Sequence, residues 1–385
     1  MDKSLSQLIR ISNTVGKNTS LIQGGGGNTS VKTKDGKYMY IKASGTALKD
    51  MNEQGGWRRL RLDSVLSIIE NKSIAKLKTY NREMEVVRRL LFACDDEIAA
   101  NSRPSVETHL HAFLDKCVIH LHPVAVLAYA CAKSGKAELE KLFKDEKPPP
   151  LWVPYTGPGF MLAKKIVTLV GNYQRRFGQK PAIVFLQKHG LLISANNPDS
   201  ALQLLRKVVN RCGSKLKQPK AEKNKHISQE LIADTKICIR RAFTEATGQH
   251  ATTSYFYDDV IAAFWLQPET PKMLRPTALT PDELLYANGP AMWVDSCDSK
   301  KIAERLTRQT KRGGKPSVAF LVKGIGLFVV AGKKLAPTIR DIVESSFIIR
   351  TNALRFGGIL TLNKSERVFI NQWEAEVFRK KLASG

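Results

Sequence analysis

Residues 106–122, VETHLHAFLDKCVIHLH, hold four of the seven histidines of a 385-residue chain, and reading them as a helix followed by a strand decides the rest. CVIHLHP, from Cys117 to Pro123, is an apolar run with β-branched residues and reads as a strand. In a strand, residues i and i+2 point to one face, so His120 and His122 present both imidazoles on the same side as a pair of candidate metal ligands. His109 and His111 share that spacing but fall in a short helix ending near Leu114, where i and i+2 are about 200° apart and cannot face one ion. Those two read as surface or packing residues.

Upstream of this stretch, Ser4–Val15 reads as a helix. A glycine run, Gly24 to Gly27, leads into two alternating segments, NTSVKT and KYMYIKA, joined at Asp35-Gly36 as expected of a hairpin. Helical patterns follow at 65–71 and 82–92. Downstream come helices at 124–134 and 161–177, then AIVFLQKHGLLISA as strand, turn and strand, and a helix from Pro198 to about Lys215. The expected architecture is α/β, a central, mainly antiparallel sheet flanked by helices. Residues 214–226, SKLKQPKAEKNKH, have the composition of a solvated linker. The expected domains are therefore 1–216, a linker at 217–227, and 228–385.

The second half carries a decayed copy of the first. KPAIVFLQK from Lys180 and KPSVAFLVK from Lys315 agree at five of nine positions. Trp152-Val153 and Lys164-Lys165-Ile166 are echoed by Trp293-Val294 and Lys300-Lys301-Ile302. HGLLISA is echoed by GIGLFVVA with one residue inserted, and the copy has no histidine where His189 stands. The second domain is thus a degenerate α/β repeat without metal ligands.

Composition narrows the class. Hydrophobic residues make up 43% and charged residues 25% of the chain, no apolar run is long enough to span a membrane, and the first residues lack a signal-peptide pattern, so a cytoplasmic protein is expected. Six cysteines without a C-x-x-C pair fit reduced thiols. The formal charge of +26 is spread along the chain without interleaved aromatics. It suits attraction of a small anionic substrate better than a nucleic-acid partner.

A catalytic zinc site commonly uses three protein ligands and an open position. His189, at the strand-to-strand turn ahead of Gly190, is the candidate third ligand. On spacing alone, three unrelated histidines remain an equal reading, since a lone His-x-His is a weak signal. Glu107, in PSVETH, reads either as an acid/base beside such a site or as a first-turn helix carboxylate favoured by the helix dipole.

The succession GGGGNTS, IKASGTAL, RPSVETHLHAFL, VIHLHPVAVLAYA and LQKHGLLI resembles the class II aldolase/adducin family over at least residues 7–212. TPDELLYA and KGIGLFVV resemble the C-terminal portion of longer members in which a short-chain dehydrogenase follows; none is expected here. The resemblance implies that His120, His122 and His189 hold Zn2+ or another divalent metal, with Glu107 as acid/base. It also implies a phosphate-binding loop built from Gly27, Asn28, Ser44, Gly45 and Ser105. Tyr155, in PYTGPG, is either a further acid or part of a packed turn. The implied function is a carbon–carbon lyase that cleaves a ketose phosphate or related hydroxy-ketone through a metal-stabilised enediolate. Epimerase or decarboxylase chemistry and an adducin-like assembly role stay open as alternatives. The family's fourfold enzymes lead to the expectation of a homo-oligomer.

Overall fold

The computed structural model describes residues 2–97, 102–217 and 227–373. The chain divides into two compact units. One is built from residues 1–130, 136–215 and the segment from Val368; the other comprises 131–135 and 216–367. The linker expected at 217–227 lies, apart from its ends, outside the described residues.

The first unit is organised on seven strands: β1 (Asn28–Lys32), β2 (Tyr38–Lys42), β3 (Trp57–Arg61), β4 (Cys117–Leu121), β5 (Leu151–Val153), β6 (Ile183–Leu186) and β7 (Gly190–Ala195). Their order is β3-β2-β1-β4-β7-β6-β5, antiparallel throughout except for the β5–β6 pair. Helices Leu62–Glu70, Thr79–Ala93 and Phe160–Phe177 cover one face. Their Val65, Ile68, Leu90, Phe160 and Ile166 bury against Met39, Ile41, Val118 and Leu192 of the sheet. Helices Lys3–Gly16 and Pro198–Gly213 cover the other face, with Leu8, Ile11, Leu205 and Val208 buried. The central strands β1 and β4 are therefore buried along their whole length. β3 adds to the expected elements: its inward positions are Arg58 and Leu60, and Arg58 is held by Asp96 at 2.9 Å, so its alternation is half polar.

The second unit has four strands, β8 (Thr253–Phe256), β9 (Met292–Val294), β10 (Ala319–Val322) and β11 (Gly326–Val330), in the order β8-β11-β10-β9. Helices Gln229–Thr247 and Ser299–Lys311 contribute Ile239, Ile302 and Leu306 to a core with Phe320, Val322 and Phe328. This sheet reproduces half of the first. β9 and β10 are parallel, as β5 and β6 are, while β11 runs antiparallel between β10 and β8, as β7 does between β6 and β4.

Hydrogen bonds fix the equivalence residue by residue. His189 N–H donates to Leu186 at 3.2 Å and Ile325 N–H to Val322 at 3.1 Å; Gln187 N–H donates to Val153 at 3.0 Å and Lys323 N–H to Val294 at 2.9 Å. Both turns have three residues with a left-handed one in the middle, Lys188 (φ 55°) and Gly324 (φ 76°). The extra residue expected in the second turn thus lies upstream, between Pro316 and β10. His189 corresponds to Ile325, and His120, opposite Leu192, corresponds to Tyr255, opposite Phe328. Tyr255 donates its hydroxyl to the Ile325 carbonyl at 2.9 Å, so the copy closes with a hydrogen bond where the first unit gathers imidazoles.

All six cysteines are free. Among the described residues no helix is long and apolar enough to cross a membrane. In the second unit, burial and then Asp258 push the carboxyl of Glu344 up to about 9. The folded state therefore keeps a proton that the unfolded chain releases above about pH 4.5, and stability falls as pH rises from there toward 9. Glu344→Gln, neutral at every pH, is expected to raise the thermal midpoint by about 2–4 °C at pH 8 and to match the parent near pH 4.5, as measured by calorimetry.

Candidate metal and acid/base site

His120 sits on β4 and His122 just past its end, while His189 closes the β6–β7 turn. All three are buried, and their ligand atoms lie within 4.8 Å of one another. Close backbone packing brings them together. A Cβ on Gly190 would stand 2.4 Å from the Leu121 carbonyl oxygen and 2.8 Å from His122 Cδ2; one on Gly27, at φ 63°, would stand 2.8 Å from the His120 carbonyl oxygen. Only glycine lets both chains press against β4 at the ligand positions.

The orientation of His120 is set from behind. Its Nδ1 donates to the Leu191 carbonyl at 3.0 Å, which leaves the Nε2 lone pair facing inward. Burial pushes His120 down to about 3, so the ring is neutral near pH 7, as a metal ligand must be. Nε2 of His120 is 3.3 Å from Nε2 of His122. Two nitrogens bound to one tetrahedral zinc at about 2.05 Å stand about 3.3 Å apart. The donor set fits a divalent cation in kind and number, and the His120–His122 pair fits in spacing.

Glu107 lies on the same centre. Oε2 is 3.4 Å from His120 Nε2 and Oε1 is 3.3 Å from His189 Nε2. Although Glu107 occupies the N-cap of helix Thr108–Ala112, its side chain makes no capping bond. Oε2 instead accepts from Asn28 Nδ2 at 2.9 Å, while Oε1 faces only His189 Nε2. Asn28 Oδ1 is bonded to His111 Nε2, and His111 Nδ1 lies 2.8 Å from Ser30 Oγ. Because the Asn28 amide donates to the carboxylate, its oxygen must accept, so His111 carries its proton on Nε2 and accepts from Ser30 on Nδ1. One directed chain, Ser30 to His111 to Asn28 to Glu107, anchors one carboxylate oxygen and leaves the other toward the histidines.

His111 is therefore more than a packing residue. Two spacings carry the signal for it: Asn28 and Ser30 share a face of β1, and Glu107 and His111 are four apart on a helical turn. His109 is also buried, beside the Gly159 backbone.

The other expected residues divide into two groups. Ser44 N–H donates to Arg103 at 2.8 Å and Ser105 N–H to Lys42 at 3.1 Å, which sets Ser44-Gly45 beside Ser105. Ser105 Oγ accepts from Glu107 N–H at 3.3 Å. Lys42, buried and absent from the sequence reading, bonds through Nζ to the carbonyls of Gly25 at 3.4 Å and Ala43 at 3.3 Å, linking the glycine run to this strand end. Tyr155, just after β5, packs on the β6–β7 turn: its N–H donates to Gln187 Oε1 at 3.0 Å, and Lys188 Nζ sits 4.1 Å from its ring centroid.

A seven-stranded sheet thus carries a three-histidine cluster with a carboxylate beside it. The chain belongs to the class II aldolase and adducin N-terminal domain family, whose model matches residues 6–216. Among curated proteins it is 26% identical to the uncharacterized oxidoreductase YuxG of Bacillus subtilis, in a match covering all of this chain and 59% of that one. The chain thus spans about three fifths of that relative's length. Solved structures that resemble it include the N-terminal class II aldolase domain of a conserved protein from Thermoplasma acidophilum, at 27% identity over 56% of this chain and 94% of that one, TM-score 0.46. An L-fuculose 1-phosphate aldolase matches at 17% identity over 56% and 85% of the two chains, TM-score 0.38.

Proposed function

We propose that the chain is a zinc-dependent aldolase, with residues 1–216 as catalytic domain, that cleaves a ketose phosphate or a related phosphorylated or carboxylated hydroxy-ketone. The observation that supports it most is Glu107, which has one carboxylate oxygen anchored by Asn28 and the other directed at His189, beside three convergent imidazoles. In this reading His120, His122 and His189 hold the cation. A bound divalent metal supplies Lewis-acid stabilisation of the negative charge that retro-aldol cleavage leaves on a carbonyl oxygen. Glu107 Oε1 transfers the proton at the neighbouring carbon, its position held by the Asn28–His111–Ser30 chain. The Gly27-Asn28 turn, Ser44-Gly45 and Ser105 receive the anionic end of the substrate through backbone N–H groups and hydroxyls. Tyr155, packed on the adjoining turn, is assigned as an auxiliary acid, and the protein as a cytoplasmic homo-oligomer.

A buried carboxylate whose second oxygen faces the donor set favours a catalytic over an assembly role, since a structural zinc site is closed. The test is aldol cleavage of a panel of ketose 1-phosphates by zinc-loaded protein. Turnover that disappears on chelation and returns with metal supports the reading. A metal-loaded protein inert toward the whole panel shifts it to epimerase or decarboxylase chemistry.

The hydrogen-bond chain makes its own prediction. His111→Leu removes the donor to Asn28 and should lower kcat about 10- to 100-fold through a misplaced carboxylate, with KM and bound metal unchanged. His111→Gln, which keeps an N–H donor, should recover part of the loss. Steady-state kinetics alongside metal analysis separates this from a folding defect, which would lower metal content as well.

A further inference from the structure

The first unit has a second concavity, of about 620 Å3, whose lining includes Lys32, Lys34, Lys116 and Lys180 together with the apolar side chains of Leu62, Leu66 and Phe113. Lys32, the last residue of β1, is only 8% exposed. Its ammonium donates to the carbonyls of Leu114 and of Asp115, the latter at 3.2 Å, and Lys180 Nζ reaches the same Leu114 carbonyl at 3.4 Å. Two ammonium groups thus converge on one neutral oxygen. None of the four lysines is ion-paired with a carboxylate among the described residues. The acid that also lines the cavity, Asp115, has its Oδ2 engaged by Ser194 Oγ at 3.1 Å.

Burying an ammonium without a direct ion pair is costly, and Asp115 offsets that cost only in part. Burial, and then the charge of Lys180, push Lys32 down to about 7. An anion seated between Lys32 and Lys180 would remove that strain, and the apolar wall beside it suits a hydrophobic body carried by the same ligand. β1 places Lys32 four residues from Asn28, about 13 Å along the strand, so this cavity is separate from the metal centre.

We propose that this cavity binds a phosphate-bearing small molecule, with its phosphate between Lys32 and Lys180 and an apolar portion against Leu62, Leu66 and Phe113. The inference does not depend on the reaction proposed above.

The test is calorimetric titration of the full-length, metal-loaded protein with phenyl phosphate and, separately, with inorganic phosphate. The parent is expected to show a binding component for phenyl phosphate that weakens at least tenfold in Lys180→Met and in Lys32→Met, and that is weaker for inorganic phosphate. Lys32→Met, without ligand, should melt above the parent, because the repulsion between Lys32 and Lys180 and the burial of a charge are both gone; Lys180→Met, at a half-buried position, guards against a folding defect. Isotherms unchanged in both variants would overturn the proposal. So would inorganic phosphate binding as tightly as phenyl phosphate, which would leave no role for the apolar wall, or displacement of phenyl phosphate by an oligonucleotide, which would make the patch a nucleic-acid contact.

Discussion

Glu107→Gln is expected to lower turnover about 10²- to 10⁴-fold, the range over which a positioned acid/base contributes, while bound metal stays at the parental level. The substitution is nearly isosteric, and its amide oxygen can still accept from Asn28 Nδ2, where Glu107 Oε2 accepts now at 2.9 Å. The atom facing His189, at 3.3 Å in the parent, then becomes an NH₂ that cannot take up a proton. Shape, anchoring and imidazoles are preserved, and only the proton acceptor is removed. Steady-state kinetics with zinc-loaded variant and parent, and metal analysis of both, measure the two halves of the claim. A variant that keeps its metal and most of its kcat would show that Glu107 is not the base.

His120→Ala should have an equally large effect for a different reason. His120 is one of the three candidate ligands: its Nε2 lies 3.3 Å from that of His122, and its ring is held by the Leu191 carbonyl. Removing it leaves two donors on elements that no longer define a tetrahedral corner, and bound zinc should fall from about one per chain to a small fraction. Turnover should fall with it. The buried sheet does not depend on this side chain for its core, since β4 contributes Cys117, Val118, Ile119 and Leu121 as fully buried residues. Far-ultraviolet circular dichroism should therefore match the parent, in contrast to a structural zinc site, where loss of metal unfolds the domain. Metal analysis of gel-filtered protein is the measurement.

The site was legible in the sequence wherever chemistry and local period coincide. His120 and His122 declare a shared face through strand spacing, and a glycine after His189 signals the close approach that Gly190 makes to Leu121 and His122. The β1–β2 hairpin follows from Asp35-Gly36 between two alternating runs. What the sequence hid is non-local. β3 escapes because an inward arginine is neutralised by an aspartate 38 residues away. His111 reads as a packing residue because its partners, Asn28 and Ser30, lie on a strand some 80 residues earlier. The repeat was visible, but its offset was misplaced: residue identity pairs Lys188 with Lys323, whereas the hydrogen bonds pair Lys188 with Gly324, the two residues that share a left-handed backbone. Lys32 looks like any solvated strand lysine until the fold buries it beside Lys180.

In the proposed reaction, Glu107 moves a proton at a carbon activated by a cation on His120, His122 and His189. Its most direct test needs no knowledge of the aldehyde partner. Dihydroxyacetone phosphate is incubated in D₂O with metal-loaded protein, and loss of its carbon-bound proton is followed by ¹H NMR. Exchange is expected that requires metal, is abolished in Glu107→Gln and is lost in His120→Ala. Exchange that persists in metal-loaded Glu107→Gln, or its absence in a parent protein that carries a full complement of metal and cleaves none of the ketose 1-phosphates, would contradict it.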